Sequence, residues 1–173
     1  NLIGYDINQE LISKLMDKVS PNSSFIEIHT QDSSDPSAVK LTQSLLQTHQ
    51  KSAVQFAILH PPYYDIIKFS SDSRDLSNSP DIPTFLKRFK QVVANTLEVL
   101  EPGRYFAVVI GDKYSQKQWV PLGFYCMQAA IEPGVTLKSI VVKDIQGNRG
   151  KKNQHTIWRY RALMSDYYIF KHE

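Results

Sequence analysis

At 173 residues with 42% hydrophobic content, the chain suits one domain with a genuine core. No apolar run approaches the roughly 20 residues that span a bilayer, and a lone cysteine, Cys126, excludes an internal disulfide framework and a cysteine-only metal site. The net charge of +3 is unevenly spread: Lys138, Lys143, Arg149, Lys151, Lys152, Arg159 and Arg161 are interrupted only by Asp144, a block that suits a phosphate-facing surface.

The elements follow in order. Asn1-Leu-Ile-Gly-Tyr5 reads as the end of a strand, and Asp6 to Val19 as a short helix with Leu11, Ile12, Leu15 and Met16 at helical spacing. After a turn at Ser20-Pro21-Asn22-Ser23, Phe25 to His29 alternates like a strand. Pro36 to Gln50 reads as a helix with Ala38, Leu41, Leu45 and Leu46 inward, and Val54 to Leu59 as a buried strand that stops at His60-Pro61-Pro62. Residues 64 to 82 form a polar loop long enough to be functional or mobile. Pro83 to Leu100 carries the strongest helical period, through Phe85, Phe89, Val92, Val93, Leu97 and Leu100, and Glu101-Pro102-Gly103 stops it. Arg104 to Ile110 is a further buried strand. Val120 to Ile131 is a helix with Val120, Phe124, Met127 and Ile131 on one face and Cys126 as a buried thiol. Thr136 to Val142 is β-rich, residues 145 to 157 are a basic loop, and Tyr167 to Lys171 begins a final strand.

Strands alternating with helices imply a mostly parallel sheet covered on both faces, whose ligands bind beyond the C-terminal strand ends. Polar clusters fall at those ends: Asp6 with Asn8, Gln31 with Asp32, His60 onward, and Gly111-Asp112-Lys113-Tyr114. The run His60-Pro61-Pro62-Tyr63 carries the sharpest chemistry. Two prolines remove two backbone donors and stiffen the path, so the carbonyls before them are held as acceptors, and Tyr63 adds a flat aromatic face. Two acceptors and a stacking ring can hold a planar amine and localise its lone pair for attack.

Leu59-His60-Pro61-Pro62-Tyr63 resembles the (Asp/Asn/Ser)-Pro-Pro-(Tyr/Phe/Trp) signature of S-adenosylmethionine-dependent amino-methyltransferases, above all the bacterial DNA N4-cytosine and N6-adenine enzymes. Three further segments match in order. Ile3-Gly4-Tyr5-Asp6-Ile7-Asn8 resembles the segment whose Asp binds the cofactor ribose. His29-Thr30-Gln31-Asp32 is similar to the segment whose Asp contacts the adenine, with Gln31 in place of Gly. Gly103-Arg104-Tyr105 through Gly111-Asp112 resembles the unit after the catalytic motif. The resemblance implies a Rossmann-like α/β methyltransferase fold and S-adenosylmethionine as cofactor. It implies Tyr5, Asp6, Asn8, Gln31 and Asp32 as cofactor-binding, and His60, Pro61, Pro62 and Tyr63 as catalytic. It also implies in-line transfer to an exocyclic amine with no metal, DNA as partner, and a role of the restriction-modification kind.

Two departures shape the expectations. His60 replaces Asp, Asn or Ser, and an imidazole accepts a hydrogen bond only when neutral and in the right tautomer. Activity is therefore expected to fall as His60 takes up a proton, and the target is adenine or cytosine without preference. The family's Phe-x-Gly-x-Gly loop, at the end of its first strand, has no counterpart here. Residues 1 to 173 are thus expected to form a single catalytic domain truncated at the N-terminus and perhaps at the C-terminus, where His172-Glu173 resembles a pair that opens the family's last strand. An upstream segment or second chain is expected to supply the missing strand and loop. The location is expected to be cytoplasmic, with no membrane partner.

The segment Ile145 to His155, with Trp158, Tyr160 and Arg161 beside it, is basic and amide-rich, and residues 146 to 161 are expected to contact DNA through Arg149, Lys151, Lys152, Arg159 and Arg161. Lys68 and Arg74 in the earlier loop are further candidate phosphate contacts. Two other readings stay open: an RNA guanine or glutamine amide as substrate, and a non-catalytic nucleic-acid-binding subunit.

Overall fold

The computed structural model describes residues 1–19, 26–115, 118–131, 134–144 and 164–173. Among these residues, eight strands and four helices run in the order β1 (Leu2–Asp6), α1 (Gln9–Met16), β2 (Ile26–Thr30), α2 (Ser37–Thr48), β3 (Val54–Leu59), α3 (Ile82–Leu97), β4 (Leu100–Gly111), β5 (Lys113–Ser115), β6 (Gln118–Val120), α4 (Leu122–Ala130), β7 (Val135–Asp144) and β8 (Met164–His172). A 3-10 turn at Leu76–Asn78 interrupts the loop before α3.

The strands form a parallel pair β1-β2, a four-stranded sheet β3-β4-β8-β7, and a small β5-β6 hairpin. β3 and β4 are parallel, and β8 runs antiparallel to both β4 and β7, so β7 points the same way as β4. Only β8 is reversed in its sheet, which is the mostly parallel α/β arrangement expected from the alternation of elements. No described strand stands between β1 and β3, and each has a hydrogen-bonded neighbour on one side only.

The core lies on one face of the four-stranded sheet. Phe106, Val108 and Ile110 of β4 meet Tyr168 and Phe170 of β8, with Phe106 and Phe170 stacked at 4.8 Å. Phe85, Phe89 and Val93 of α3 and Leu122, Cys126 and Ala130 of α4 close this layer. α3 starts cleanly because the Asp81 side chain accepts from the Thr84 amide and Pro83 sits in its first turn.

Several sequence expectations are corrected. Among the described residues the sheet is not covered on both faces: the other face carries Phe56 and Ile58 of β3, 52% and 64% exposed, with Tyr105 of β4 and Val141 of β7 also exposed. β3 is therefore not a buried strand. In α1, Ile12 alone is buried, while Leu11, Leu15 and Met16 are exposed. In α4 the inward face is Leu122, Cys126 and Ala130, and Phe124 and Ile131 point outward. α2 is buried through Ala38, Val39, Thr42 and Leu46. β4 begins before Pro102-Gly103, which it absorbs with Gly103 in the left-handed region (φ +83). His172 closes β8 rather than opening a strand, its Nδ1 3.1 Å from the Leu100 carbonyl.

Candidate active site

β1, β2 and β3 end against one cavity of about 540 Å³, lined by Tyr5, Asp6, Gln31, Asp32 and the run Leu59 to Tyr63, with Phe89 and Val92 of α3 as apolar wall. The two parallel pairs thus meet across this cavity. Asn95, buried on α3, ties that helix to the β2–α2 loop by donating to the Ser33 and Asp35 carbonyls at 2.9 and 3.1 Å.

The acidic wall is held by local turns. Asp6 Oδ1 accepts from the Asn8 amide at 2.7 Å, and Asp32 Oδ1 accepts from the Ser34 amide at 2.9 Å and the Ser34 hydroxyl at 2.7 Å. The Gln31 amide donates to the Asp6 carbonyl, and its side chain donates to the Asp32 carbonyl and Ser37 Oγ. Tyr5 lines the cavity with its ring, but its hydroxyl bonds Thr42 Oγ1 at 2.8 Å, and burial raises its pKa. Asn8 lies outside the lining. It caps α1 by accepting from the Glu10 and Leu11 amides, and it donates to the Phe69 carbonyl at 2.7 Å. These two side-chain tasks come from an Asn at the N-cap position, where the residue type is favoured for that reason.

Opposite stands the proline run. His60 is exposed at the end of β3, and its ring centroid is 5.9 Å from that of Tyr63 with the planes 56° apart. Tyr64 follows in the left-handed region, φ 56, which turns the chain sharply after the motif. Its ring packs edge-on against Phe85.

The loop after the motif is built rather than loose. Buried Asp75 accepts from the Ser77 amide and hydroxyl and from Ser70 Oγ, while Asn78 donates to the Ser70 and Asp72 carbonyls. Ile66, Ile67 and Phe69 are half exposed and face the cavity. Arg74 also lines it, but its charge is engaged by Asp72 at 2.6 Å, which holds the Asp72 carboxyl down to about 2. Lys68 is exposed and outside the lining. Arg149, Lys151, Lys152, Arg159 and Arg161 lie outside the described residues. Residues 145 to 163 nevertheless link β7 to β8 where Asp144 pairs with Met164 and Gly111 with Ser165, the C-terminal edge of β4.

Sequence reasoning missed Asp75, Phe69 and Asn95. A polar residue on the inward face of an otherwise apolar helix was the signal for Asn95. Asp75 had no signal beyond loop polarity, because its partners are spread over eight positions of irregular chain.

The fold is α/β and Rossmann-like, of the kind found in solved methyltransferase structures. Among solved structures, the chain is similar to a candidate DNA modification methylase from Thermus thermophilus, with a TM-score of 0.51 and 15% identity over 75% of this chain and 49% of that one. It is also similar to the N-methyltransferase NodS from Bradyrhizobium japonicum, with a TM-score of 0.53 and 10% identity over 99% and 73%. A SAM-dependent methyltransferase from Methanosarcina mazei matches with a TM-score of 0.53 and 12% identity over 98% and 80%. The chain spans about half the length of the Thermus protein. No protein-family model matches the chain, and no curated protein matches it. No helix among the described residues is long and apolar enough to cross a membrane.

Proposed function

We propose that this chain forms the target-binding part of an S-adenosylmethionine-dependent methyltransferase that modifies the exocyclic amine of adenine (N6) or cytosine (N4) in DNA. The observation that carries the reading is the run His60-Pro61-Pro62-Tyr63 at the end of β3, in the wall of the cavity that Asp6 and Asp32 also line.

The cofactor supplies an electrophilic methyl carbon when bound. Asp6 and Asp32 fit such a ligand: each anchors one carboxylate oxygen to a local amide and offers the other to a ribose hydroxyl or a ring amine. The apolar wall of Phe89, Val92 and Leu11 excludes water around it. On the target side, His60 and the stiff carbonyls before Pro61 and Pro62 accept from the amine, and Tyr63 stacks on the base. A base held this way has left its duplex stack. The segment 145 to 163 leaves and rejoins the sheet at the same edge, which suits its basic residues to the flanking phosphates.

The exposed edges support a further part of the reading. A strand between β1 and β3, parallel to both and supplied by an upstream segment or a partner chain, would join the two parallel pairs and bring a Gly-rich loop to the cavity. A parallel strand needs a crossover helix, and the bare face at Phe56, Ile58 and Tyr105 suits such a helix.

The test is mass analysis of nucleosides after expression of the full chain in a methylation-deficient host, together with calorimetry of S-adenosylmethionine binding. New N6-methyladenine or N4-methylcytosine is expected, and Asp6→Ala is expected to weaken cofactor binding by about tenfold or more. Methylated RNA or protein with unmodified DNA bases would overturn the substrate, and no cofactor binding by the full chain would overturn the activity.

A further inference from the structure

Lys113 opens β5, immediately after buried Asp112 at the end of β4, and its side chain is only 11% exposed. It does not line the cavity. Its ammonium lies 4.7 Å from the centre of the Tyr64 ring and pairs with the Asp65 carboxylate. Tyr64 and Asp65 are the two residues that follow the proline run, and Tyr64 is one of two non-glycine residues with positive φ among the described residues.

Such a backbone conformation costs a tyrosine energy and persists only when its surroundings hold it. Phe85 holds the ring from one side by an edge contact. Lys113 also holds it by a cation–π contact and pairs with the next residue by charge. The anchor is itself rigid: Asp112 accepts from the Gly123 amide at 2.9 Å and Trp119 Nε1 at 3.0 Å, which ties the β4–β5 junction to α4 and β6.

We propose that Lys113 is a positioning residue, which clamps the Tyr64 turn so that the acceptors of His60-Pro61 and the Tyr63 ring keep their place in the cavity wall. This rests on the amine-methyltransferase reading above. Lys113 touches neither the base nor the cofactor. Its loss releases the left-handed turn, and a shift of about 1 Å in the motif is enough to lower turnover by about 100-fold.

The experiment compares Lys113→Met, which keeps the apolar stem, with Lys113→Arg, which keeps charge and ring stacking, in the full chain. Lys113→Met is expected to lower kcat by about 10- to 100-fold with cofactor binding unchanged, and Lys113→Arg to recover most of the loss. Unchanged kcat in Lys113→Met, or an Arg variant as impaired as the Met variant while both are folded, overturns the proposal. Should Lys113→Met fail to fold, a double-mutant cycle of Lys113→Gln, which removes the charge, with Asp65→Asn replaces it, and strict additivity there overturns the clamp. A second measurement needs no turnover: the Hε protons of Lys113 are expected to be shifted upfield by the Tyr64 ring in NMR spectra, and to return to ordinary values in Tyr64→Leu. Ordinary values in the wild type overturn the proposal. A wild type that binds the cofactor and shows the ring shift, yet methylates no amine, instead removes the functional reading while the clamp geometry stands.

Discussion

His60 concentrates the mechanistic question. Its ring stands beside Tyr63 at the cavity wall, where a neutral imidazole accepts from an amine and an imidazolium repels one. His60→Ala is expected to lower kcat by about 100-fold. His60→Asn, which keeps an amide acceptor at the same place, is expected to keep most of the activity. Unchanged kcat in His60→Ala would refute the role. Gly123 poses a different residue-scale problem. In a helix, Gly→Ala gains roughly 0.5–1 kcal/mol, yet a Cβ here would stand 2.6 Å from the Tyr168 hydroxyl and 3.3 Å from Asp112 Oδ1. Both neighbours are buried, and overpacking costs about 1–3 kcal/mol. Gly123→Ala is therefore expected to lower stability by about 1 kcal/mol in urea unfolding, against the sign of helix propensity.

Among the elements, β2 and α2 are joined by a carboxylate between two imidazoles. Glu27 of β2 lies 3.0 Å from His49 Nε2 just past α2 and 3.0 Å from His29 Nε2 on its own strand. Hydrogen bonding to His49 and then to His29 lowers the Glu27 pKa. A depressed carboxylate pKa contributes stability that is complete above the unfolded value, about 4.3, and is lost as pH falls through the lower folded value. The contribution is thus expected to drain away in acid below about pH 4, and Glu27→Gln is expected to reduce the acid dependence of urea midpoints. Identical acid slopes in both proteins would rule it out. The segment over the cavity shows the limit of composition as a guide. Its Ser and Asp content reads as a solvated loop, but Asp75, Ser70, Ser77 and Asn78 spend those groups on one another and on backbone, as compact loops do.

At the scale of the whole molecule, β1 and β3 each keep one edge with no described hydrogen-bonded neighbour. Edge strands leave unpaired amides and carbonyls in a row, and here two such rows flank one cavity. Hydrogen exchange is expected to be fast at alternate amides of β1 and β3 in the chain of residues 1 to 173, and to slow when the strand-bearing segment is present. Slow exchange without that segment would contradict the proposed insertion. Charge is distributed at this scale too. Replacing Arg149, Lys151 and Lys152 together by Ala is expected to weaken DNA binding and to reduce the salt slope, log K against log salt, by roughly 2 to 3. An unchanged slope would remove this segment from the DNA interface.

The alternation of strands and helices, the stop at Pro61-Pro62 and the acids after β1 and β2 were legible in the chain because each is a local pattern: period, donor loss, or a cap beside an apolar run. Polar clusters at strand ends marked Asp6, Gln31, Asp32 and His60 onward, and the family resemblance added Tyr5; these residues line one cavity. Periodicity could not tell which apolar faces find cover. Leu11, Leu15, Phe56 and Ile58 have the spacing of buried residues and are exposed, because burial depends on what packs opposite and no described element stands there. Asn8, which the resemblance implied as a cofactor contact, caps α1, and Asp75, which reads as loop polarity, anchors Ser70 and Ser77. Contacts between positions far apart in the chain, such as Lys113 with Tyr64 and Asn8 with Phe69, are made only by the tertiary structure that brings those positions together.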